Sequence, residues 1–278
     1  MMKPVVSSDY NPTYAGPLLS VKVSAAYGGR AAVLRAAAFD VNAGEIVGLA
    51  GQSGSGKSTI ALAIMRLLYL KGGVAEGHIL FRGRDLLRRP EREMRDIRGR
   101  EIAMVLQNPV SSLNPALRLG TQMSEAWEAH RHTSSDARET VMLETLRAVS
   151  LDVDRAFLRR FPGELSVGQA QRVLIAMAIL HRPALLIADE ATSALDALTQ
   201  SEILRLFERL NRELAMAILY ISHDLLSIAS LCGRVAVLHQ GEIVEFGPTA
   251  RVFQAPVHAY TRQLVEAIPT VEFASAVG

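Results

Sequence analysis

The sequence predicts an α/β fold, in which helices cover a largely parallel sheet and a helical subdomain is inserted at about 108–180. Short apolar runs of strand length alternate with segments of helical periodicity in both halves of the chain. Between residues 113 and 160 the pattern is helical, and no strand-like run interrupts it. The 278 residues are enough for one large domain, which we place at 18–248.

The first third of the chain predicts strands that lead through a loop into a helix. Apolar residues alternate or cluster at strand length in 18–26 and 38–41, and a short apolar run, 45–50, precedes a glycine. After the loop, apolar residues recur at helical spacing from Ile60 until a glycine pair ends the pattern. A unit of strand, loop and helix therefore opens the fold.

The second half of the chain returns to strands after two helical stretches near 122–130 and 136–150. Residues 185–188 and 218–221 are four-residue apolar runs suited to buried parallel strands, and an amphipathic helix separates them. Two further apolar runs flank a Gln-Gly turn at 240–241 and predict a hairpin.

The two ends and the cysteine content exclude several classes of protein. Residues 1–17 are polar and lack the apolar core of a secretion signal, so we expect a flexible start, while 249–278 predicts a short helical or irregular extension. The apolar runs are too short for a membrane span, and Cys232 alone cannot form an internal disulfide or hold a zinc or iron–sulfur centre. We expect a cytoplasmic protein.

The charge pattern argues against nucleic acid as a partner. Lys and Arg number 30 against 28 Asp and Glu, which gives a net charge of +2, and apolar residues make up 49%. Residues 82–100 hold eight arginines, but four acidic residues are interspersed, and no aromatic residue is interleaved beyond the neighbouring Phe81. We favour a solvated mixed-charge face over a nucleic-acid patch.

The loop after the third predicted strand matches the pattern G-x-x-x-x-G-K-[ST] and precedes a predicted helix, as its mechanism requires. Its glycines let successive amide hydrogens point inward, Lys57 neutralises the outer phosphates of a nucleoside triphosphate, and the Ser58 hydroxyl is placed to ligate Mg²⁺. A Gly/Ser-rich turn that only caps a helix is the alternative. The residues assigned to this phosphate loop are Gly51, Gln52, Ser53, Gly54, Ser55, Gly56, Lys57, Ser58 and Thr59.

Polar residues that follow three other predicted strands complete a candidate site for phosphoryl transfer. Asp189, directly after the run 185–188, would hold Mg²⁺, and Glu190 would orient the attacking water. Gln107 and His223 follow two further apolar runs, so we expect them at the same sheet edge, and we assign Gln107 to the metal site as well. A helix-capping turn for the two carboxylates and ordinary surface positions for Gln107 and His223 are the alternatives.

Taken in order, these motifs resemble those of the nucleotide-binding subunit of ABC transporters, from residue 18 to about 269. Residues 165–169, L-S-V-G-Q, are similar to that family's L-S-G-G-Q signature, which other P-loop ATPases do not carry. Ser166 and Gln169 also form a capping-box pattern, and a plain helix cap is the alternative. The resemblance implies a P-loop NTPase core of the RecA-like type, with a mixed sheet, an antiparallel edge and a helical subdomain.

The resemblance also assigns residues to ATP. It implies that His223 senses the terminal phosphate, that Asp196 belongs to a loop communicating across a dimer, and that Tyr27 stacks on adenine. A core or surface tyrosine is the alternative for Tyr27. The residues that would face ATP held by a second copy of the domain are Ser166, Gly168 and Gln169.

Within the family, segments at 107–115 and 256–269 are similar to importers of oligopeptides, dipeptides and nickel. The resemblance implies an ATP-hydrolysing, Mg²⁺-dependent subunit at the cytoplasmic face of the inner membrane. Its expected partners are a second ABC ATPase subunit, either a paralogue or another copy, two membrane permease subunits and, indirectly, an extracytoplasmic solute-binding protein. A soluble ABC ATPase of DNA repair or translation and a non-hydrolysing ATP sensor are the alternatives, and Glu190 and His223 argue against the sensor.

Three departures from the family pattern carry expectations of their own. Val167 replaces the first signature glycine, and a β-branched residue disfavours positive φ, so its backbone must be helical or extended. Ala191 replaces a proline after Glu190, which loosens that turn. The sequence lacks the C-terminal cysteine cluster of many peptide importers, so we expect no iron–sulfur cofactor.

Overall fold

The computed structural model describes residues 15–29, 31–130 and 135–268. Most of the predicted flexible start at 1–17 and the last part of the predicted extension at 249–278 lie outside these residues. Within them, the strands are β1 (Leu19–Tyr27), β2 (Leu34–Val41), β3 (Ile46–Ala50), β4 (Gly73–Phe81), β5 (Arg84–Asp85), β6 (Ile102–Val105), β7 (Leu185–Asp189), β8 (Ala217–Ser222), β9 (Arg234–His239) and β10 (Glu242–Pro248).

Most of the helices lie between these strands along the chain, and the last two follow the last strand. The helices are α1 (Lys57–Ile64), α2 (Glu91–Ile97), α3 (Pro109–Ser112), α4 (Leu119–Glu128), α5 (Ser135–Ala148), α6 (Val167–Ile179), α7 (Ala197–Leu214), α8 (Leu225–Leu231), α9 (Thr249–Gln254) and α10 (Ala259–Glu266). None of the described helices combines the length and the apolar character that crossing a bilayer demands.

A six-stranded sheet with the order β10-β9-β3-β8-β7-β6 forms the centre of the fold. All its neighbouring pairs are parallel except the edge pair β9 and β10, which is antiparallel. Every residue of β3, β7 and β8 is buried, which explains why these strands are short, nearly continuous apolar runs in the sequence. The predicted parallel strands and the predicted hairpin are confirmed.

A second, antiparallel sheet has the order β2-β1-β4-β5. Its strand β4 is missing from the sequence prediction because the signal is weak: toward its end Ile79 and Phe81 are buried, but its middle is exposed. The predicted helix after the phosphate loop is also shorter than its periodicity indicates. It ends at Ile64, Arg66 has a left-handed φ of 49°, and the remaining apolar residues lead into a 3-10 turn at Leu68–Lys71.

Four helices, α3 to α6, occupy the chain between β6 and β7. Their apolar faces enclose buried side chains that include Met123, Trp127 and Leu146. The arginine-rich segment lies before β6, and its charges pair with one another: Arg98 with Glu91 at 2.5 Å and Arg89 with Glu93 at 2.6 Å. These ion pairs agree with the mixed-charge face that the sequence indicates.

Candidate active site

The sheet brings four predicted site segments to one edge. Gly51 follows β3, Asp189 ends β7, His223 follows β8, and Gln107 lies two residues beyond β6. Because these strands are parallel and adjacent in the order β3-β8-β7-β6, their carboxyl ends meet at the same edge. The apolar runs before these segments predict that all four lie at one edge, and the topology of the sheet confirms it.

Two positions of the phosphate loop require glycine, one because of a close backbone contact and the other because of its backbone angle. A Cβ on Gly51 would lie 2.5 Å from the carbonyl oxygen of Leu238 in β9. Gly56, which precedes α1, has a φ of 109°, a conformation that side chains disfavour. Gly56 is the N-cap residue of α1 and has no side chain to bond the amide hydrogens of the first turn, so these remain available to an anion.

Lys57 is buried inside the loop, with only 4% of its surface exposed. Its Nζ donates to the carbonyl oxygens of Gly51, at 2.8 Å, and Gln52, at 3.0 Å, and lies 3.6 Å from Glu190 Oε1. The loop therefore folds around a fixed positive charge, beside helical amide hydrogens that have no capping side chain. This arrangement fits the phosphates of a nucleotide.

Ser58 and Asp189 bring two side-chain oxygen atoms together at the rim of the loop. The Ser58 hydroxyl donates to Asp189 Oδ1 at 3.2 Å. Burial raises the pKa of Asp189, and the nearby Glu190 raises it further, although the bond from Ser58 opposes them. A cation beside this carboxylate would offset the cost of burying its charge. The described residues contain no group of three or more His, Cys, Asp or Glu arranged to hold a metal ion, so phosphate oxygens and water would complete a Mg²⁺ shell.

Glu190 lies between a cation and an imidazole. Its Oε1 is 3.5 Å from His223 Nδ1 in addition to its approach to Lys57, and the His223 ring is 55% exposed. Glu190 itself has a left-handed φ of 49°, and its N–H donates to the carbonyl of Ile221 in β8 at 2.9 Å. Glu190 and His223, each predicted at this sheet edge, are therefore brought together, with the carboxylate near Lys57 of the phosphate loop.

Two predicted residues lie at the margins of this group. Gln107 is exposed, and no hydrogen bond to it occurs among the described residues. The Tyr27 hydroxyl is 3.3 Å from the Thr59 hydroxyl, and its ring lies against Gly73, where an added Cβ would be 2.7 Å from the ring. Tyr27 thus stands beside the end of the phosphate loop, while its stacking on adenine and the metal role of Gln107 stay predictions.

The signature segment forms a helix cap. Ser166 Oγ accepts from the Gln169 N–H at 3.2 Å, and Gln169 Oε1 accepts from the Ser166 N–H at 3.1 Å, which completes the predicted capping box. Val167 begins α6, so its backbone is helical, as its β-branched side chain requires. Within the described part of the chain, no hydrogen bond or ion pair joins this segment to the phosphate loop.

Asp196 caps α7 in the same way. It accepts from the Thr199 N–H at 3.0 Å and from the Thr199 hydroxyl at 2.7 Å, and these bonds hold the pKa of Asp196 below its ordinary value. An added Cβ on Gly168 would lie 2.9 Å from the Thr199 methyl group, so the signature helix and α7 are in close contact. The predicted roles of Asp196, Gly168 and Gln169 toward ATP stay predictions.

One contact of the phosphate loop has no counterpart in the predicted site. The hydroxyl of Tyr260 in α10 accepts a hydrogen bond from the Gln52 backbone N–H at 3.1 Å. The two residues are 208 positions apart, and no motif spacing signals such a contact. In the sequence, Tyr260 is visible only as part of a tail segment without assigned chemistry.

Comparison with known proteins decides the family. A model of the ABC transporter family matches residues 34–193. The chain belongs to the ABC transporter family. ABC transporter ATP-binding proteins are ATPases, so this chain binds and hydrolyses ATP. The predicted family, P-loop α/β fold and ATPase activity are thereby confirmed.

Similar ABC proteins come from several bacteria. The oligopeptide transport ATP-binding protein OppD of Bacillus subtilis is 41% identical over 247 residues, which cover 88% of this chain and 69% of OppD. The peptidoglycan transport ATP-binding protein YejF of Agrobacterium fabrum is 44% identical over 266 residues, which cover 94% of this chain and 48% of YejF. The ABC chain therefore spans about half the length of YejF.

Solved structures agree with this assignment. The dimeric, post-hydrolysis structure of the ATP-binding cassette MJ0796 bound to ADP and Pi has a TM-score of 0.71 and 27% identity, and the match covers 83% of this chain and 98% of the cassette. The structure of cbiO1 from Clostridium perfringens has a TM-score of 0.75 over 93% of this chain and 98% of cbiO1, at 23% identity, and shows the shared fold alone.

Proposed function

We propose that this ABC protein is the ATPase subunit of an importer that takes up peptides or a related small solute. The names of its relatives support the proposal, since OppD is an oligopeptide transport protein and YejF a peptidoglycan transport protein. A glutathione import protein, GsiA of Escherichia coli O157:H7, is also 42% identical over 247 residues, covering 86% of this chain and 39% of GsiA. Glutathione and oligopeptides share the peptide bond.

The hydrolytic step rests on one juxtaposition, that of Lys57, Glu190 and His223 at the sheet edge. In the proposed reaction, the Glu190 carboxylate orients water for attack on the terminal phosphate and accepts its proton. Lys57 neutralises charge on the phosphates, and His223 donates to the terminal one. Mg²⁺, which Ser58 and Asp189 would hold, would supply further neutralisation of the triphosphate.

A second subunit completes each ATP site in this proposal. The Ser166 end of α6 is exposed and carries amide hydrogens suited to an anion, but it bonds to nothing in its own phosphate loop. An equivalent helix end from another chain would face the terminal phosphate. The similar MJ0796 cassette is described as dimeric. The second subunit is either a paralogue or another copy of this chain.

The permease subunits would dock near Gln107. Two apolar side chains flank this residue at the surface, Leu106 at 47% exposure and Val110 at 58%. Such side chains beside a residue at the ATP edge suit a short helix from a membrane subunit. We propose that docking there holds the protein at the cytoplasmic face of the membrane, with a solute-binding protein acting on the opposite side.

The proposal is tested by purification and by uptake. Tagged chain should co-purify with membrane subunits, and phosphate release should increase when its ATPase partner is added. A strain lacking the chain should lose uptake of a labelled tripeptide, and comparison with ⁶³Ni²⁺ uptake separates the two cargo classes. Co-purification with ribosomes or DNA, together with normal uptake of both cargoes, would contradict the importer assignment.

A further inference from the structure

The C-terminal extension reaches into the ATP site through Tyr260. Its hydroxyl accepts the Gln52 N–H, and its ring is stacked on His239, with 3.7 Å between the ring centroids and 26° between the planes. His239 is the last residue of β9, which lies beside β3. The buried Tyr260 therefore stands at the same sheet edge as the phosphate loop, although the family match at 34–193 does not include it.

The segment before Tyr260 is fixed to the sheet. We call residues 256–260 the strap. In it, the Val257 N–H donates to Glu245 Oε1 at 3.0 Å and the His258 N–H donates to Glu245 Oε2 at 3.2 Å. Burial raises the pKa of Glu245, but the bonds from the Val257 and His258 N–H groups help to hold the pKa below its ordinary value, so the carboxylate is ionised at neutral pH. The strap is thereby anchored to β10.

Both backbone polar groups of Gln52 form hydrogen bonds. Its N–H donates to Tyr260, and its carbonyl oxygen accepts from Lys57 Nζ at 3.0 Å. The same lysine is the buried charge that the phosphates would meet. A shift of Gln52 away from Tyr260 would therefore displace one of the two carbonyl groups that orient Lys57.

We propose that Tyr260 is a positioning residue for nucleotide: through Gln52 it fixes the phosphate loop and Lys57 in the binding geometry before ATP arrives. A loop that is already ordered loses less conformational entropy on binding, so affinity rises without any contact between Tyr260 and ATP. The strap and Glu245 hold the tyrosine in place. The C-terminal extension thus sets nucleotide affinity from outside the matched family region.

The test is Tyr260→Phe in the full chain, with ATP and ADP affinities measured by calorimetric titration. Phenylalanine keeps the ring on His239 and removes only the hydroxyl. We expect the Kd of both nucleotides to rise by about three- to tenfold, the factor that loss of one neutral hydrogen bond gives. Single-turnover hydrolysis at saturating ATP should stay within about twofold of wild type, because Glu190 and His223 are untouched. Tyr69→Phe, at an exposed tyrosine, is the matched control and should change neither quantity.

A second variant, Glu245→Gln, loosens the strap without altering the tyrosine. We expect Glu245→Gln to raise both Kd values. In the Tyr260→Phe background it should cause no further rise in Kd, because both changes act through the same contact. Unchanged affinities in Tyr260→Phe would overturn the proposal, as would a loss confined to ATP, because the loop holds phosphates common to both nucleotides. A lowered Tm with unchanged Kd would assign Tyr260 to packing alone. The readout is binding to this chain, so failure of the importer proposal leaves it unaffected.

Discussion

Replacing Glu190 with glutamine should abolish turnover while ATP stays bound. The amide has nearly the same shape as the carboxylate, so it preserves packing at a side chain that is only 17% exposed. It cannot take a proton from water. Loss of a positioned general base costs a factor of about 10² to 10⁴ in rate, which corresponds to about 3 to 5 kcal/mol in the barrier.

The same substitution should not weaken ATP binding. Glu190 Oε1 lies 3.6 Å from Lys57 Nζ, close to where the phosphates would be held. Removing a negative charge there lowers repulsion with the triphosphate and leaves Lys57 free to face it. We therefore expect the Kd for ATP in Glu190→Gln to equal or fall below that of wild type, and the ATP-closed dimer to persist.

Steady-state phosphate release measures turnover, calorimetric titration with ATP measures the Kd, and gel filtration in ATP and Mg²⁺ measures the dimer. The ATPase partner is present where one is required. Glu213→Gln is the matched control, because Glu213 is an exposed glutamate of α7. Its rate should equal wild type. A Glu190→Gln rate within tenfold of wild type, or a loss of ATP affinity as large as the loss of rate, would refute the role of Glu190.

Three other substitutions test separate parts of the site. Lys57→Ala should raise the Kd for ATP by about 10- to 100-fold, the factor that a hydrogen bond to a charged group is worth. The control Lys22→Ala, at an exposed lysine, should leave the Kd unchanged. If calorimetry gives Lys57→Ala the same ATP affinity as wild type, the phosphate-binding role of the loop is wrong. Asp189→Asn should raise the Tm of the nucleotide-free chain at pH 7. The pKa of Asp189 is raised in the folded chain, so the aspartate makes the folded state less stable as pH rises from 3.8 through the folded-state pKa, and asparagine removes this ionisation. This gain should shrink toward pH 4 in scanning calorimetry, and no difference at pH 7 would contradict it. Ser166→Ala removes a helix cap and should lower the free energy of unfolding in urea by about 1 kcal/mol. It should also prevent ATP-driven dimerisation without changing the Kd of the single chain for ATP. Intact dimerisation would count against the partner-facing role of Ser166.

The sequence was sufficient to predict the part of the site that depends on local patterns. The phosphate loop is contiguous, and it lies between a strand and a helix that are both visible as apolar periodicity. Asp189, His223 and Gln107 each follow an apolar run. Because parallel strands end at one edge, their proximity follows from the runs alone, before any distance is known.

The parts that were missed depend on tertiary contact. Strand β4 is held by its pairing with β1, and its exposed middle offers no alternation to detect. Tyr260 reaches Gln52 only because α10 packs next to the end of β9, a placement that neither local segment encodes. Tertiary packing decides such features, and propensity is silent about them.

The turn that carries Glu190 explains how the site tolerates an alanine where the family resemblance implies a proline. A residue with a left-handed φ costs about 1 to 3 kcal/mol, so the surroundings must hold Glu190 in place. The Ser193 N–H and hydroxyl both donate to the Glu190 carbonyl, at 3.2 and 3.0 Å, and the Thr192 hydroxyl is 2.9 Å from the buried Tyr220 hydroxyl. Ala191 itself is buried, with 1% exposure. Hydrogen bonds and burial thus supply the rigidity that a proline ring would otherwise provide, and the expected loosening at Ala191 is opposed by contacts on both sides of it.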